Sequence, residues 1–196
     1  RGRRLRPVWK PLDRLALKLS RRLRPAVPKT RAEPLTARAL LEHLPALTRH
    51  LRCHADYDEA FLIWLFREMG EVRSRGTLVR TLVREGGGQV LGWYVYYLHP
   101  VLSQVMQVAA RPGAEGEVLD HLLHHAYVNG AVAVRGRLEP HLLEALSRRR
   151  CAFGWSGAAL VHARDPALLG LLMSSGCWLE RLDGESWMGH HLETFA

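Results

Sequence analysis

One short turn of this chain has the residue types and the spacing needed to hold a phosphate group. It runs from Arg111 to Gly116 with the sequence RPGAEG, after an apolar run and before apolar side chains at helical spacing. A strand that enters a helix through a tight glycine turn presents free backbone N–H groups at the positive end of the helix dipole. The turn is therefore a candidate phosphate site, and an ordinary strand–turn–helix connection is the alternative.

Three histidines on the following helix have a spacing that could hold a metal ion. His121, His124 and His125 lie at i, i+3 and i+4, which brings their imidazoles to one side of a helix. Asp120 is the carboxylate beside them, and no cluster of cysteines or carboxylates accompanies it in the sequence. We therefore expect a solvated helix face and no bound metal.

The cysteines indicate a reducing compartment. Cys53, Cys151 and Cys177 are odd in number, far apart and in no metal-binding or redox spacing. The sequence also shows no secretory signal and no apolar run long enough to cross a membrane, so we expect a cytoplasmic location. Cys151 as a nucleophile would need a paired base, and a buried thiol is the expectation that we favour.

The positive charge of the chain belongs to its first residues. Residues 1–31 hold twelve Lys or Arg and a single Asp, for a net charge of +11, whereas the other residues sum to −2. We expect a basic amphipathic arm or inter-domain linker at 1–31 and one domain at 32–196. Apolar residues at helical spacing from Asp13 to Leu23 predict a helix. It could dock on a neighbouring domain, lie on an anionic membrane through residues 1–24 or, least favoured, bind nucleic acid.

Helices and strands follow the arm in an order typical of a mixed α/β domain. The run GWYVYYL is apolar on both faces, which predicts a central strand covered on both sides. A five-residue loop with three glycines joins it to the preceding strand as a hairpin. Helices are predicted at 36–44, from 56–59 to before Gly76, between Gly116 and Gly130, at 140–149 and at 165–174. Strands are predicted at 77–84, at 90–98, from Ser103, at 131–134, at 158–162 and at 177–182.

This order of elements resembles the GNAT superfamily of N-acyltransferases. The resemblance covers roughly Ala32 to Trp187, and Val105 to Val134 is its most specific portion. The phrases GWYVYYL, QVAARPGA, RGRLEP and LVHARDP are similar to the carboxy-terminal half of bacterial proteins that hold two GNAT-like modules in tandem. The resemblance implies a mixed, mostly antiparallel sheet flanked by helices on both faces. Residues 1–31 would then be the inter-module segment.

The resemblance implies acetyl-CoA or another acyl-CoA as the donor substrate. The pantetheine arm would lie along the strand before the turn, and the pyrophosphate would bind the backbone N–H groups of the turn. Family members carry Gln or Arg, two residues, Gly, one residue, then Gly or Ala, and the spacing here differs by one residue. We therefore expect a degenerate donor motif. The implied cofactor-binding residues are Met106, Val108, Ala109, Arg111, Gly113, Ala114 and Gly116.

The resemblance also implies direct attack of an amine on the thioester. A strand N–H group between Met106 and Val108 would stabilise the oxyanion. Family members often use a Tyr to protonate the leaving thiolate, and Ser147 or Arg148 stands at that position, so this acid is absent. Glu139 is the candidate general base, and a surface glutamate without a role is the alternative.

Two functions therefore remain to be separated by geometry. One is an acyl-CoA-dependent N-acyltransferase that acts on an unidentified amine acceptor. The other is a non-catalytic GNAT-like half that packs on a catalytic partner module of the same parent chain. Strands that part beside Val108 and leave free N–H groups would favour the first function. A closed strand ladder, or amides already bonded within the protein, would favour the second.

Overall fold

The computed structural model describes residues 24–149, 151–154, 162–174 and 176–184. Within them the strands are β1 (Arg31–Pro34), β2 (Cys53–His54), β3 (Thr77–Arg84), β4 (Val90–Leu98), β5 (Leu102–Ala110), β6 (Ala133–Arg135) and β7 (Cys177–Trp178). The α-helices are α1 (Ala37–Thr48), α2 (Glu59–Glu71), α3 (Glu115–Val128), α4 (Leu143–Arg148) and α5 (Pro166–Leu172). Short 3-10 helices cover Arg73–Arg75 and Pro140–Leu142.

A five-stranded sheet in the order β1-β3-β4-β5-β6 forms the centre of the fold. Its strand pairs are antiparallel except β5–β6, which is parallel. One face packs against α1 and α2, and the other face packs against α3. The predicted mixed, mostly antiparallel sheet with helices on both faces is confirmed. The predicted central strand is confirmed as well, because the side chains of β4 from Leu91 to Tyr97 are buried on both faces.

Side-chain caps begin three of the helices, at or near the helix starts predicted from the sequence. Thr36 accepts a hydrogen bond from the Ala39 N–H group at 3.1 Å and begins α1. Asp58 accepts one from the Phe61 N–H group at 2.7 Å and begins α2. Asp165 does the same for α5. In each case a short polar side chain satisfies a backbone donor that the first turn leaves open.

Replacing Asp58 by alanine is expected to lower the free energy of unfolding by about 1 kcal/mol, because the cap of α2 is lost. Urea denaturation of the variant and the wild type would measure the difference. Asp56→Ala is the matched control, since Asp58 holds the cap position of α2. Equal losses in the two variants would show that the cap does not stabilise α2.

The first helix is longer than predicted. It was expected to end at Leu44, before Pro45, but it continues to Thr48 with Pro45 inside it. A proline within a helix removes one backbone hydrogen bond and disfavours the helix. Leu47 and Thr48 in the extra turn are buried, and the Thr48 hydroxyl donates to the Leu44 carbonyl at 2.8 Å. This packing outweighs the effect of the proline.

The ends of the sheet differ more from the prediction. The last strand was expected at 177–182, but only Cys177 and Trp178 are extended, and they pair in parallel with β2 outside the main sheet. The edge strand β1 was not predicted, because its four residues are all exposed and show no alternation. Residues 158–161 of another predicted strand, and the helix predicted between Asp13 and Leu23, lie outside the described residues.

Candidate functional site

Strands β5 and β6 part after a short contact. They pair at three positions only, and the last pair joins Gln104 to Arg135. Facing β4, the register shifts so that Val105 opposes Tyr96 and Gln107 opposes Val95, which makes Met106 the extra residue of a β-bulge. A bulge bends its strand and breaks the regular ladder. Strands β5 and β6 have therefore parted before Val108.

Residues 178–183, which we call the crossing segment, fill this gap. The Leu182 N–H group donates to the Met106 carbonyl at 3.2 Å. The Val108 N–H group donates to the two carboxylate oxygens of Glu180 at 3.2 and 3.0 Å. The Trp178 indole donates to the same carboxylate at 2.6 Å. A carboxylate oxygen thus occupies the donor that was expected to be free for an oxyanion.

A chain of buried polar groups leads from β4 to the crossing segment. The Trp93 indole donates to Gln107 at 2.9 Å, and the Gln107 amide donates to the Tyr57 hydroxyl at 3.1 Å. The Tyr57 hydroxyl in turn donates to Asp183. The other oxygen of Asp183 accepts the backbone N–H of Glu180. The chain therefore fixes the crossing segment to the strands on which it lies.

Three carboxyl groups share this small region. Burial raises the pKa of Glu180 well above its ordinary value, and Glu139 adds to the rise, while the Trp178 and Val108 donors oppose it. Burial also raises the pKa of Asp183, against the hydrogen bond from Tyr57. Such a group of carboxyls favours bound protons, because ionised neighbours repel each other and lose water on burial. Perturbed acids in one place are typical of functional sites.

Glu139, the predicted general base, lies next to this group. It is 3% exposed, so the alternative of a surface glutamate is wrong. Burial raises its pKa from 4.5 to about 7, Arg137 lowers the pKa, and Asp183 raises it. The Arg137 Nε atom is 3.0 Å from Glu139 Oε1, but that oxygen has no aligned hydrogen-bond donor among the described residues. A carboxyl with a pKa near neutrality suits proton transfer.

Two backbone donors of the turn before α3 are also bonded within the protein. Gly113 has a φ of 89°, which favours glycine, and its N–H group donates to the Glu115 carboxylate at 2.9 Å. The Ala114 N–H group donates to the Arg111 carbonyl at 2.8 Å. The expectation of free amides is therefore wrong for Gly113 and Ala114, as it is for Val108. A carboxylate again stands where a phosphate was expected.

The space at the end of β5, beside the last turn of α1, is small. A cavity of about 20 Å³ lies there, enough for about one water molecule. Ala109 and Ala110 at the end of β5, Glu115, His141 and Trp178 are among its lining residues. A pantetheine arm is much larger than this cavity.

Gly116 and the position of the missing acid have structural partners. The Gly116 carbonyl accepts from the Arg149 guanidinium at 2.6 Å, and the same guanidinium binds Asp120. A Cβ atom on Gly116 would lie 3.0 Å from Arg149, so this glycine allows a close contact between α3 and the end of α4. Ser147 donates its hydroxyl to the Leu143 carbonyl.

The histidines of α3 do not form a metal site. Tyr94 and Tyr96 on β4 are hydrogen-bonded to the Nδ1 atoms of His121 and His125 at 2.9 and 2.7 Å. These two histidines are half-buried against the sheet, so the expected solvated face is wrong for them. Burial lowers the pKa of both imidazoles. In the described part of the chain, no group of three or more His, Cys, Asp or Glu side chains could hold a metal ion.

The cysteines carry no sign of an activated thiol. Burial raises the pKa of Cys151, and Arg149 lowers it by less. Burial raises the pKa of Cys177 to about 11, and its neighbour Cys53 adds to the rise. A thiol with a raised pKa stays protonated and is a weak nucleophile.

Most of the buried polar groups have no local signal in the sequence. Tyr57, Gln107, Glu180 and Asp183 are far apart in the chain and belong to no motif. One signal was available, because Glu180 lies two residues after Trp178, on the same face of an extended segment. Its acidic side chain on an apolar face indicates a buried carboxylate that needs donors.

The helices of the described residues are too short or too polar to cross a membrane. No protein-family model matches the sequence. No curated protein matches it either.

Solved structures resemble this chain in fold. An acetyltransferase from Trypanosoma brucei matches with a TM-score of 0.47 and 15% identity, over 68% of this chain and 99% of that chain. Glucosamine-6-phosphate N-acetyltransferase from Arabidopsis thaliana matches with a TM-score of 0.47 and 10% identity, over 69% and 99%. An aminoglycoside antibiotic 6′-N-acetyltransferase from Acinetobacter baumannii matches with a TM-score of 0.41 and 10% identity, over 69% and 98%. Each similarity is one of fold.

Proposed function

We propose that this chain is an acyl-CoA-dependent N-acyltransferase-like domain, which transfers an acyl group from a CoA thioester such as acetyl-CoA to an amine. The observation that carries the proposal is the bulge at Met106. From this bulge onwards β5 does not pair with β6, and the Val108 N–H group donates to a carboxyl oxygen of Glu180 in the gap. Glu139, with a pKa of about 7, lies beside the same gap.

These groups have the chemistry that acyl transfer requires. An attacking amine must lose a proton, and Glu139 is able to accept one at neutral pH. The thioester carbonyl gains negative charge during the attack, and the Val108 N–H group would stabilise that charge. The donor would run along Met106 to Ala109, and its diphosphate would bind the turn of Arg111, Gly113, Ala114 and Gly116. The leaving thiolate would take its proton from solvent, since the expected tyrosine is absent.

The proposal requires the crossing segment to move. Glu180 now occupies the Val108 donor, and Glu115 occupies the Gly113 donor. Each donor therefore binds a carboxyl oxygen of the chain in place of an oxygen from a ligand. A ligand that competes with an internal group loses apparent affinity by the fraction of time that the site is closed. Weak donor binding is therefore expected.

Removing the Glu180 carboxylate is expected to raise the affinity for acetyl-CoA by at least about tenfold, because the Val108 donor is freed. Isothermal titration calorimetry of Glu180→Ala and the wild type would measure the change. Glu144→Ala, which removes an exposed carboxylate on α4, is the matched control and is expected to leave the affinity unchanged.

Circular dichroism would show whether the variants fold, and Glu180→Gln serves as a second variant that removes the ionisable group with less loss of volume. If neither the wild type nor a folded Glu180 variant gives heat of binding with acetyl-CoA, the enzymatic proposal is overturned.

The absence of acetyl-CoA binding would favour a non-catalytic GNAT-like half that packs on a catalytic module. The bonded amides of Val108, Gly113 and Ala114 support this candidate, as does the absence of the tyrosine acid. We also propose that the second module lies in the same parent chain, that this parent is a bacterial tandem protein, and that its location is cytoplasmic. Contact of residues 1–24 with a membrane surface stays a prediction.

A further inference from the structure

Two cysteines, which we call the cysteine pair, face each other across the small sheet of β2 and β7. These strands pair in parallel, and Cys53 stands directly opposite Cys177 in the ladder. The Arg52 and Cys53 N–H groups both donate to the Gly176 carbonyl, at 2.8 and 3.2 Å, and hold the strands in this register. Only the fold brings the two thiols together, because the cysteines are far apart in the sequence.

The ladder gives the cysteine pair the spacing that a disulfide requires. Neighbouring strands lie about 4.8 Å apart, and directly paired residues place their side chains on the same face of a sheet. Disulfides join residues whose Cα atoms are about 4.4 to 6.8 Å apart. Both cysteines are free in this structure. A disulfide could therefore form between them with little movement of the backbone.

The two thiols differ in their access to solvent. Cys53 is partly exposed, whereas Cys177 is only 8% exposed. Burial raises the pKa of Cys177 to about 11, and a hydrogen bond with the Cys53 side chain adds to the rise, which agrees with the contact that the ladder predicts. A buried thiol with a raised pKa is a poor target for an oxidant. Cys53 is therefore the thiol that a dissolved oxidant meets first, with Cys177 behind it as the partner.

The cysteine pair lies at the start of the crossing segment. Cys177 directly precedes Trp178, whose indole donates to Glu180, and Glu180 occupies the Val108 N–H group. Cys53 belongs to the connection between α1 and α2. A covalent bond between the cysteines would tie the crossing segment to this connection and restrict its movement away from β5.

We propose that the cysteine pair is a redox-sensitive modification site, which a peroxide converts to a disulfide that keeps the crossing segment closed over Val108. The disulfide itself does not depend on acyl transfer, whereas its effect on donor binding rests on the proposed function. In a reducing compartment such a pair is reduced for most of the time and responds to oxidation. A thiol reductant reopens the disulfide by exchange, so the modification is reversible.

The reaction balances with hydrogen peroxide as the oxidant. The Cys53 thiolate attacks one peroxide oxygen and the O–O bond breaks, so that Cys53 becomes a sulfenic acid and the departing hydroxide takes up the proton that Cys53 released. The Cys177 sulfur then attacks the Cys53 sulfur, the S–S bond forms and the S–O bond breaks. The second hydroxide takes up the proton of the Cys177 thiol. Two thiols thus lose two electrons, and one peroxide becomes two waters.

Mass spectrometry tests the disulfide without any ligand. The folded, full chain would be treated with hydrogen peroxide, alkylated with iodoacetamide and digested with trypsin, which separates the three cysteines because arginines lie between them. A cross-linked pair of peptides joined through Cys53 and Cys177 is expected, and dithiothreitol is expected to release it. Cys151→Ser is the matched control, since it keeps the cysteine pair and should cross-link as the wild type does.

Two results would overturn the modification site. One is oxidation of the wild type to sulfinic or sulfonic acids without the Cys53–Cys177 disulfide. The other is a disulfide that involves Cys151 in its place.

Hydrogen exchange tests the effect on the crossing segment. The Val108 and Leu182 N–H groups bond between β5 and this segment, so their exchange is expected to slow by at least about tenfold on oxidation. This comparison is made within the wild type and needs no substitution. Cys53→Ser treated with peroxide is the matched control and should exchange at the rate of the reduced wild type. Equal rates in the reduced and oxidised wild type would overturn the closure.

Acetyl-CoA affinity separates this inference from the proposed function. The oxidised wild type is expected to bind acetyl-CoA at least about tenfold more weakly than the reduced wild type, and equal affinities would overturn the effect on donor binding. A disulfide with slowed exchange, without acetyl-CoA binding to a folded Glu180 variant, would support the cysteine pair and overturn acyl transfer. Acetyl-CoA binding without the Cys53–Cys177 disulfide would leave acyl transfer standing and overturn the cysteine pair.

Discussion

Replacing Glu139 by glutamine is expected to remove about 3 kcal/mol of pH-dependent stability between pH 4.5 and about 7. The pKa of Glu139 is raised in the folded chain, so the folded state holds a proton that the unfolded state has already released. Stability from this group is therefore greatest below pH 4.5 and is lost as the pH rises to about 7. Urea denaturation of the wild type and Glu139→Gln across this range would measure the difference.

Comparing the two proteins isolates Glu139 from the histidines. His121 and His125 have lowered pKa values, so their contribution is present above their ordinary pKa and is lost as the pH falls. That trend has the opposite sign, but it is common to both proteins and cancels. Glu144→Gln, at an exposed position, is the control and should keep the wild-type profile. Parallel profiles for the wild type and Glu139→Gln would contradict the raised pKa.

Replacing Trp93 by alanine is expected to lower the free energy of unfolding by about 4 kcal/mol. The side chain is fully buried in the core between β4 and the first two helices, and it meets the edge of Trp178 at 6.4 Å between ring centroids. The substitution leaves a large cavity and removes the donor to Gln107. Guanidinium denaturation would measure the loss.

Two further variants separate packing from hydrogen bonding at Trp93. Trp93→Phe keeps most of the ring and removes the donor, so we expect a loss of about 1–3 kcal/mol from the unpaired Gln107 oxygen. Trp64→Ala, at a position that is 42% exposed, is expected to cost less than about 1 kcal/mol. A loss at Trp93 no larger than that at Trp64 would show that the polar chain and the core do not depend on this indole.

The hairpin could be predicted from the sequence because its signals are local. Both strand ranges, 77–84 and 90–98, are confirmed, since three glycines in five residues separate two β-rich runs. The predicted helix starts at 36 and 165 are confirmed for the same reason, because Thr36 and Asp165 each cap their helix within three residues. Residues close in the sequence decide these features.

The state of the candidate site depended on contacts across the whole chain. Glu180 bonds to Val108 over a separation of 72 residues, and Tyr57 bonds to Asp183 over 126. Local periodicity contains no information on such pairs, so the free amides were expected wrongly. The resemblance to a family made a gap beside Val108 the test between the two functions, but it could not predict which residues would fill such a gap.

The two outer strands of the sheet have a consequence for the behaviour of the protein at high concentration. In the described part of the chain, β1 and β6 are four and three residues long, and β1 ends in Pro34, which lacks a backbone donor. Fibril growth requires a long, open row of backbone donors and acceptors on which another molecule adds a strand. Because the long strands β3, β4 and β5 lie between the short edge strands β1 and β6, we expect the folded protein to resist amyloid-like assembly.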